Sequence, residues 1–155
     1  GAGTTVRLLF RAAAQPDLAE PAADAPAGRK PKKAKAASVL VIDDDPDVRG
    51  FIAVSLEELG YRVRSASDGR KGLKAIAEAR PDLVILDFIM PGLSGAEVAA
   101  QILEQSPGLP ILFVSGYSET EAVRRVAPQA PLLAKPFRAD ALEKAVAGAL
   151  AAAKA

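Results

Sequence analysis

Leu83, Val84, Ile85 and Leu86 are consecutive apolar residues, and the run stops at Asp87 just before a Met90-Pro91-Gly92 turn. A short apolar run with no polar alternation predicts a central strand of a parallel sheet, buried on both faces. Open sheets of that kind carry their ligand-binding and reactive groups at the carboxyl ends of the strands. Asp87 therefore either opens a turn closed by Pro91 and Gly92 or belongs to a functional site. The rest of the chain bears on which.

The pattern recurs. Val39-Leu40-Val41-Ile42 is a second unbroken apolar run, ended by Asp43, Asp44 and Asp45. Asp45 suits a helix N-cap and Pro46 the first helical position, and Val48, Phe51, Ile52, Ser55, Leu56 and Leu59 trace one face of the helix up to Gly60. A strand over 61–66, a turn at Ser67-Asp68-Gly69 and a helix over 70–79 follow, with Leu73, Ile76 and Ala77 turned inward. Beyond the Asp87 strand come a helix over 95–105 with Val98, Ile102 and Leu103 as its stripe, and a strand over 110–114 ended by Ser115-Gly116. A short helix over 119–126, a strand at Leu132-Leu133-Ala134 ended by Lys135-Pro136-Phe137, and a helix over 139–151 complete the alternation. Five strands each followed by a helix predict an α/β fold, a five-stranded parallel sheet with helices on both faces and right-handed crossovers.

Two segments precede this unit. Residues 1–12 combine a glycine-rich start with β-formers from Thr4 to Phe10, and residues 13–37 turn to Ala, Pro, Lys and scattered acids, with prolines at 16, 21, 26 and 31. That composition predicts a disordered linker. Its basic cluster, Arg29, Lys30, Lys32, Lys33 and Lys35, reads as solvated, since no aromatic residue is interleaved to stack on bases.

Twenty basic and nineteen acidic residues leave a formal charge of +1, so nothing points to nucleic acid or an anionic membrane as partner. No segment has the length and apolarity of a membrane span, which makes a soluble cytoplasmic protein the expectation. The chain contains neither cysteine nor histidine, so disulfides, thiol chemistry and the usual soft metal ligands are excluded. Any metal must then be a hard, oxygen-bound one.

The residues that end the apolar strands are Asp43 and Asp44, Asp87, Ser115 and Lys135, and a parallel sheet gathers them at one edge. Three carboxylates together need compensation, which a magnesium ion and the Lys135 ammonium would supply. A site of this type suits phosphoryl transfer, where catalysis consists mainly of positioning and charge stabilisation.

This constellation resembles the receiver domain of bacterial two-component response regulators over residues 38–151. The resemblance lies in VIDDD at 41–45, LDFIMPGLSG at 86–95, FVSGY at 113–117 and AKPF at 134–137. It implies a flavodoxin-like, doubly wound sheet of order 2-1-3-4-5 and a receiver domain over 38–155. Asp87 would be the phosphoacceptor, a carboxylate nucleophile that becomes an acyl phosphate. Asp44, Asp87 and the backbone carbonyl of Ile89 would hold Mg2+, with Asp43 assisting through water. The Ser115 hydroxyl and Lys135 would each bond a phosphoryl oxygen, and the backbone N–H groups of Phe88 and Gly116 would complete the cradle. The Lys135–Pro136 peptide would be cis. Partners would be a histidine kinase or a histidine phosphotransfer protein, with the domain a monomer or weak dimer.

Two departures from the family pattern stand out. Leu132 replaces the aromatic usual three residues before the lysine, which removes a readout by aromatic rotamer. Ile89 and Tyr117, each two residues beyond a key position, are bulky and would shield an acyl phosphate from water. Residues 1–12 resemble the last glycine box and strand of a histidine-kinase ATP-binding domain, in Gly1-Ala2-Gly3-Thr4-Thr5-Val6-Arg7-Leu8. Kinase box, linker and receiver in that order are expected at the end of a hybrid sensor histidine kinase. Two other readings stay open. Asp43-x-Asp45 with Ser115 and Lys135 loosely resembles a haloacid-dehalogenase-type phosphatase, which lacks an explanation for Asp87. A pseudo-receiver would act purely as an interaction module and bind no magnesium.

Overall fold

A computed structural model describes residues 36–116 and 118–155. The expectations for residues 1–35 and for Tyr117 lie outside the described residues. The elements are β1 (Ser38–Ile42), α1 (Pro46–Glu58), β2 (Arg62–Ala66), α2 (Gly69–Glu78) and β3 (Leu83–Asp87), then α3 (Gly95–Gln105), β4 (Ile111–Ser115), α4 (Thr120–Val126), β5 (Leu132–Ala134) and α5 (Ala139–Ala152). All strands are parallel and stand in the order β2-β1-β3-β4-β5, the doubly wound arrangement expected. The Lys135–Pro136 bond is cis. Among the described residues no helix is long and apolar enough to cross a membrane.

Apart from Ser38 at the start of β1, strands β1, β3 and β4 are buried along their length because alternate residues serve two separate cores. Leu40, Ile42, Val84, Leu86, Ile111 and Phe113 face one side and meet Ile76 of α2, Val98 and Ile102 of α3 and Val123 of α4. Val39, Val41, Leu83, Ile85, Leu112 and Val114 face the other and meet Ile52 and Leu56 of α1 and Leu142 and Val146 of α5. At the sheet's edge, β2 departs from this pattern with exposed Arg62 and Ser65. Charged, partly solvated side chains suit an edge strand, since they discourage pairing with a second sheet. Arg64 turns inward to cap α2 instead, its Nη1 donating to the Ala75 carbonyl at 3.0 Å and its Nη2 to that of Ala79.

Local chemistry sets the helix ends. Asp45 accepts from the N–H groups of Asp47 and Val48, and Pro46 occupies the first turn. Asp68 caps α2 through Lys71 N–H, and Ser94 with Glu97 forms a capping box on α3. Gly60 at φ 87° closes α1, with Gly60 N–H on the Glu57 carbonyl at 2.9 Å and Tyr61 N–H on that of Leu56 at 3.0 Å. That pair of bonds requires the left-handed residue that glycine supplies.

Four expected inward positions differ. Phe51 of α1, Leu59 at its C-cap, Leu103 of α3 and Ala77 of α2 are exposed. An apolar stripe read at the helical period is wider than the line of contact with the sheet, so residues at its flanks remain in solvent. On α2 the buried residues are Gly69, Gly72 and Ile76, and at Gly72 the helix approaches β1 closely. A Cβ there would sit 2.3 Å from Ile42 Cδ1.

Gly72→Ala should therefore lower stability by about 1–3 kcal/mol, despite alanine's higher helix propensity. Urea unfolding measures the change, and an unchanged midpoint would show that Ile42 yields without cost.

Candidate functional site

The carboxyl edge of the sheet concentrates the buried polar residues. Asp43 and Ser115 are 0 % exposed and Asp87 6 %, whereas Asp44 is exposed. Asp43 and Asp44 leave β1, Asp87 is the last residue of β3, Ser115 the last of β4, and Lys135 follows β5 directly. Register aligns them, since Asp87 pairs with Val114 and Ser115 with Ala134, and Lys135 N–H donates to the Ser115 carbonyl at 2.7 Å.

Lys135 Nζ bridges two carboxylates, lying 3.1 Å from Asp43 Oδ2 and 3.1 Å from Asp87 Oδ2. The other Asp43 oxygen accepts from Asp45 N–H at 2.9 Å, which fixes the loop after β1. Asp87 Oδ1 is held more loosely, by Ile89 N–H at 3.4 Å. Burial pushes the Asp87 carboxyl above the usual carboxylate range, the charge of Asp43 pushes the same way, and Lys135 opposes both. For Lys135, burial acts to lower the ammonium pKa, but the bond to Asp43 and the charges of Asp87 and Asp43 outweigh it and hold it raised.

Carboxylate oxygens of Asp43, Asp44 and Asp87 lie within 4.8 Å of one another. Hard oxygen donors, in a sequence with no imidazole or thiolate to join them, fit a hard divalent cation such as magnesium. The Ser115 hydroxyl is buried without a hydrogen-bond partner. A buried orphan donor beside an acid cluster is a costly arrangement unless an acceptor arrives there.

Two expected amide roles look different in the structure. Phe88 N–H does not face the carboxylate; it donates to the Val114 carbonyl at 3.0 Å and continues the β3–β4 ladder. The Phe88 ring packs edge-on against Phe113, with centroids 6.1 Å apart. The neighbouring Ile89 N–H is the one that meets Asp87. Gly116 N–H is engaged by Glu119 Oε2 at 3.0 Å. Asp45, the second acid of the phosphatase-like pair, uses its carboxylate to cap α1 and is not directed at a substrate.

Arg49 and Glu119 were not anticipated. Arg49 Nη1 donates to the Asp43 carbonyl at 2.7 Å and reaches that of Asp44 at 3.4 Å, so a cation braces the backbone of the acidic loop. The available signal was a basic residue in the first turn of a helix, where the helix dipole disfavours it, close to three aspartates. Leu132 is half-buried and packs on the Phe113 side of the sheet, without an aromatic ring at that place.

The family model for the response regulator receiver domain matches residues 39–147. The nitrogen assimilation regulatory protein NtrX of Azorhizobium caulinodans is 37% identical over 110 residues, spanning 67% of this chain and 24% of that protein. The response regulator MprA of Mycolicibacterium vanbaalenii is 43% identical over 106 residues, 67% of this chain and 46% of that one. The chain thus spans less than half the length of these curated relatives. Among solved structures, the receiver domain of NtrX from Brucella abortus superposes with a TM-score of 0.70 at 34% identity, covering 73% of this chain and 98% of that one. A putative response regulator from Chloroflexus aurantiacus gives a TM-score of 0.70 at 30% identity over 76% and 99% of the two chains.

The raised pKa of Asp87 has a sign that can be checked. Below the unfolded carboxyl's pKa of about 3.9 the group is protonated in both states and costs nothing. As pH rises through the folded pKa, the unfolded state has already lost its proton and the native state loses stability. Asp87→Asn should therefore raise the melting temperature in metal-free buffer at neutral pH, with the gain fading as pH falls through the raised pKa and gone below about 4. Thermal unfolding across pH checks this, and a gain that persisted at low pH would mean that the effect is not the ionisation of Asp87.

Proposed function

The chain belongs to the response regulator receiver domain family, and on that premise we propose that it takes a phosphoryl group from a phosphohistidine onto Asp87. The observation that carries this reading is the pairing of a buried Asp87 carboxylate with Lys135 at 3.1 Å, beside carboxylate oxygens of Asp43 and Asp44. An Asp87 oxygen attacks phosphorus, the P–O bond forms, and the P–N bond to the donor imidazole breaks with its electron pair remaining on nitrogen, which then takes a proton. The product is an acyl phosphate on Asp87. Since this sequence contains no histidine, the donor imidazole belongs to a histidine kinase or a phosphotransfer protein outside it.

Each residue has a part. Lys135 leaves its Asp87 contact to pair with a phosphoryl oxygen, while its bond to Asp43 keeps the ammonium at the site. The unpartnered Ser115 hydroxyl donates to a second oxygen, and Gly116 N–H receives another once released from Glu119. The N–H of Ile89, already directed at Asp87, takes the cradle role first given to Phe88. Magnesium would be held by Asp44, Asp87 and the Ile89 carbonyl, with Asp43 assisting, and would supply positive charge against the phosphoryl oxygens. Residues 1–12 and 13–37 we read as a kinase remnant and linker, which would give the receiver a hybrid kinase as its parent.

Incubation with acetyl phosphate and magnesium, followed by intact-mass measurement, tests the acceptor. A gain of one phosphoryl group in the wild type and none in Asp87→Asn is expected; equal labelling of both would overturn the assignment. Ile89, 57% exposed beside Asp87, and Tyr117 are expected to shield the acyl phosphate. An Ile89→Asn, Tyr117→Glu double variant should lose its phosphoryl group faster than wild type, as followed by the decay of the phosphorylated mass. A rate that did not rise would count against shielding.

A further inference from the structure

The loop after β4 carries an anion of its own. Gly116 N–H donates to Glu119 Oε2 at 3.0 Å, and the same turn is closed by Glu119 N–H on the Gly116 carbonyl at 3.2 Å. A carboxylate on a backbone amide makes a charge-assisted bond, stronger than one between neutral groups. Glu119 occupies the N-cap position of α4, yet its side chain caps nothing in that helix. It turns back to the loop. A Cβ built on Gly116 would lie 3.3 Å from Glu119 Oε1 and 3.6 Å from its Cδ, so glycine leaves the carboxylate room to settle on the backbone. The adjacent Ser115 hydroxyl has no acceptor.

We propose that Glu119 is an internal stand-in for the phosphoryl group, occupying Gly116 N–H while Asp87 is unmodified and expelled from it when Asp87 is phosphorylated. The proposal rests on Asp87 as phosphoacceptor and Gly116 N–H as a donor to the phosphoryl group. One amide serves one strong acceptor, and two anions sharing it repel. Gain of the phosphoryl contact therefore costs the Glu119 contact, and Glu119 sets how readily the site accepts phosphate. The same residue connects the site to α4, because the Glu119 carbonyl accepts the Val123 N–H at 3.0 Å. Expulsion of its side chain frees the peptide that begins α4, a helix whose single buried residue is Val123.

The test is an NMR titration of wild type, Glu119→Gln and Glu119→Ala with magnesium and beryllofluoride. Glu119→Ala should bind beryllofluoride about tenfold more tightly than wild type, and Glu119→Gln should fall between, since it keeps an acceptor and loses the charge. Without beryllofluoride, the Gly116 and Val123 amide signals of Glu119→Ala should move toward their positions in the beryllofluoride-bound wild type. A wild type that responds, with both variants binding equally or more weakly, overturns the role of Glu119 and leaves the phosphoacceptor intact. A silent wild type with a responsive Glu119→Ala supports the proposal in its strongest form. Silence in all three overturns both readings together.

Discussion

One ammonium group holds the carboxyl edge of this sheet together. Lys135 follows β5, while its two partners end β1 and β3, so the lysine reaches past the end of β4 to reach them. The two carboxylates are buried, and with neither cation nor proton between them they would repel across a medium less polarisable than water. Removing the lysine would leave the two carboxylates uncompensated, whereas neutralising one carboxylate relieves their repulsion and leaves the ammonium its other partner. Stability and chemistry thus use the same atoms. On the proposed assignment of Asp87 as phosphoacceptor, the contact that makes the resting edge tolerable is also the one that has to be rearranged for the reaction.

The surrounding groups divide between bracing and waiting. Arg49 braces, by gripping the carbonyls of Asp43 and Asp44 and so fixing the loop from which the acid cluster hangs. Asp45 braces too, spending its carboxylate on the first turn of α1. Ser115 waits, with a buried hydroxyl that has no partner. This inequality identifies the site better than the density of acidic residues does, because solvated acid clusters are common and buried unsatisfied hydroxyls are not.

Much of this was legible from residue order. Four-residue apolar runs without alternation, bounded by turn residues, read as buried strands, and the polar residue ending each run places the site without coordinates. What escaped depends on angles that a linear pattern does not carry. Phe51, Leu59 and Leu103 belong to apolar stripes, but the rotation of a helix about its axis is set by its partners, and these three were left outside. The family resemblance assigns the Phe88 amide to the cradle, whereas the strand pairing continues one residue past Asp87 and engages it. Glu119 and Arg49 act through side chains that fold back on loops, and their targets follow from the path of the loop rather than from any periodicity.

The sheet also works as a partition. Alternate residues of β1, β3 and β4 feed cores that share no side chain, one with α2, α3 and α4 and the other with α1 and α5. Substitutions whose side chains share no partner tend to add in their effects on stability, while those within one packed cluster couple. Sequence drift on the α1–α5 side can therefore proceed without repacking the face that carries α4. For a domain that must be recognised by another protein and also answer to its own reactive edge, this separates the two lines of inheritance.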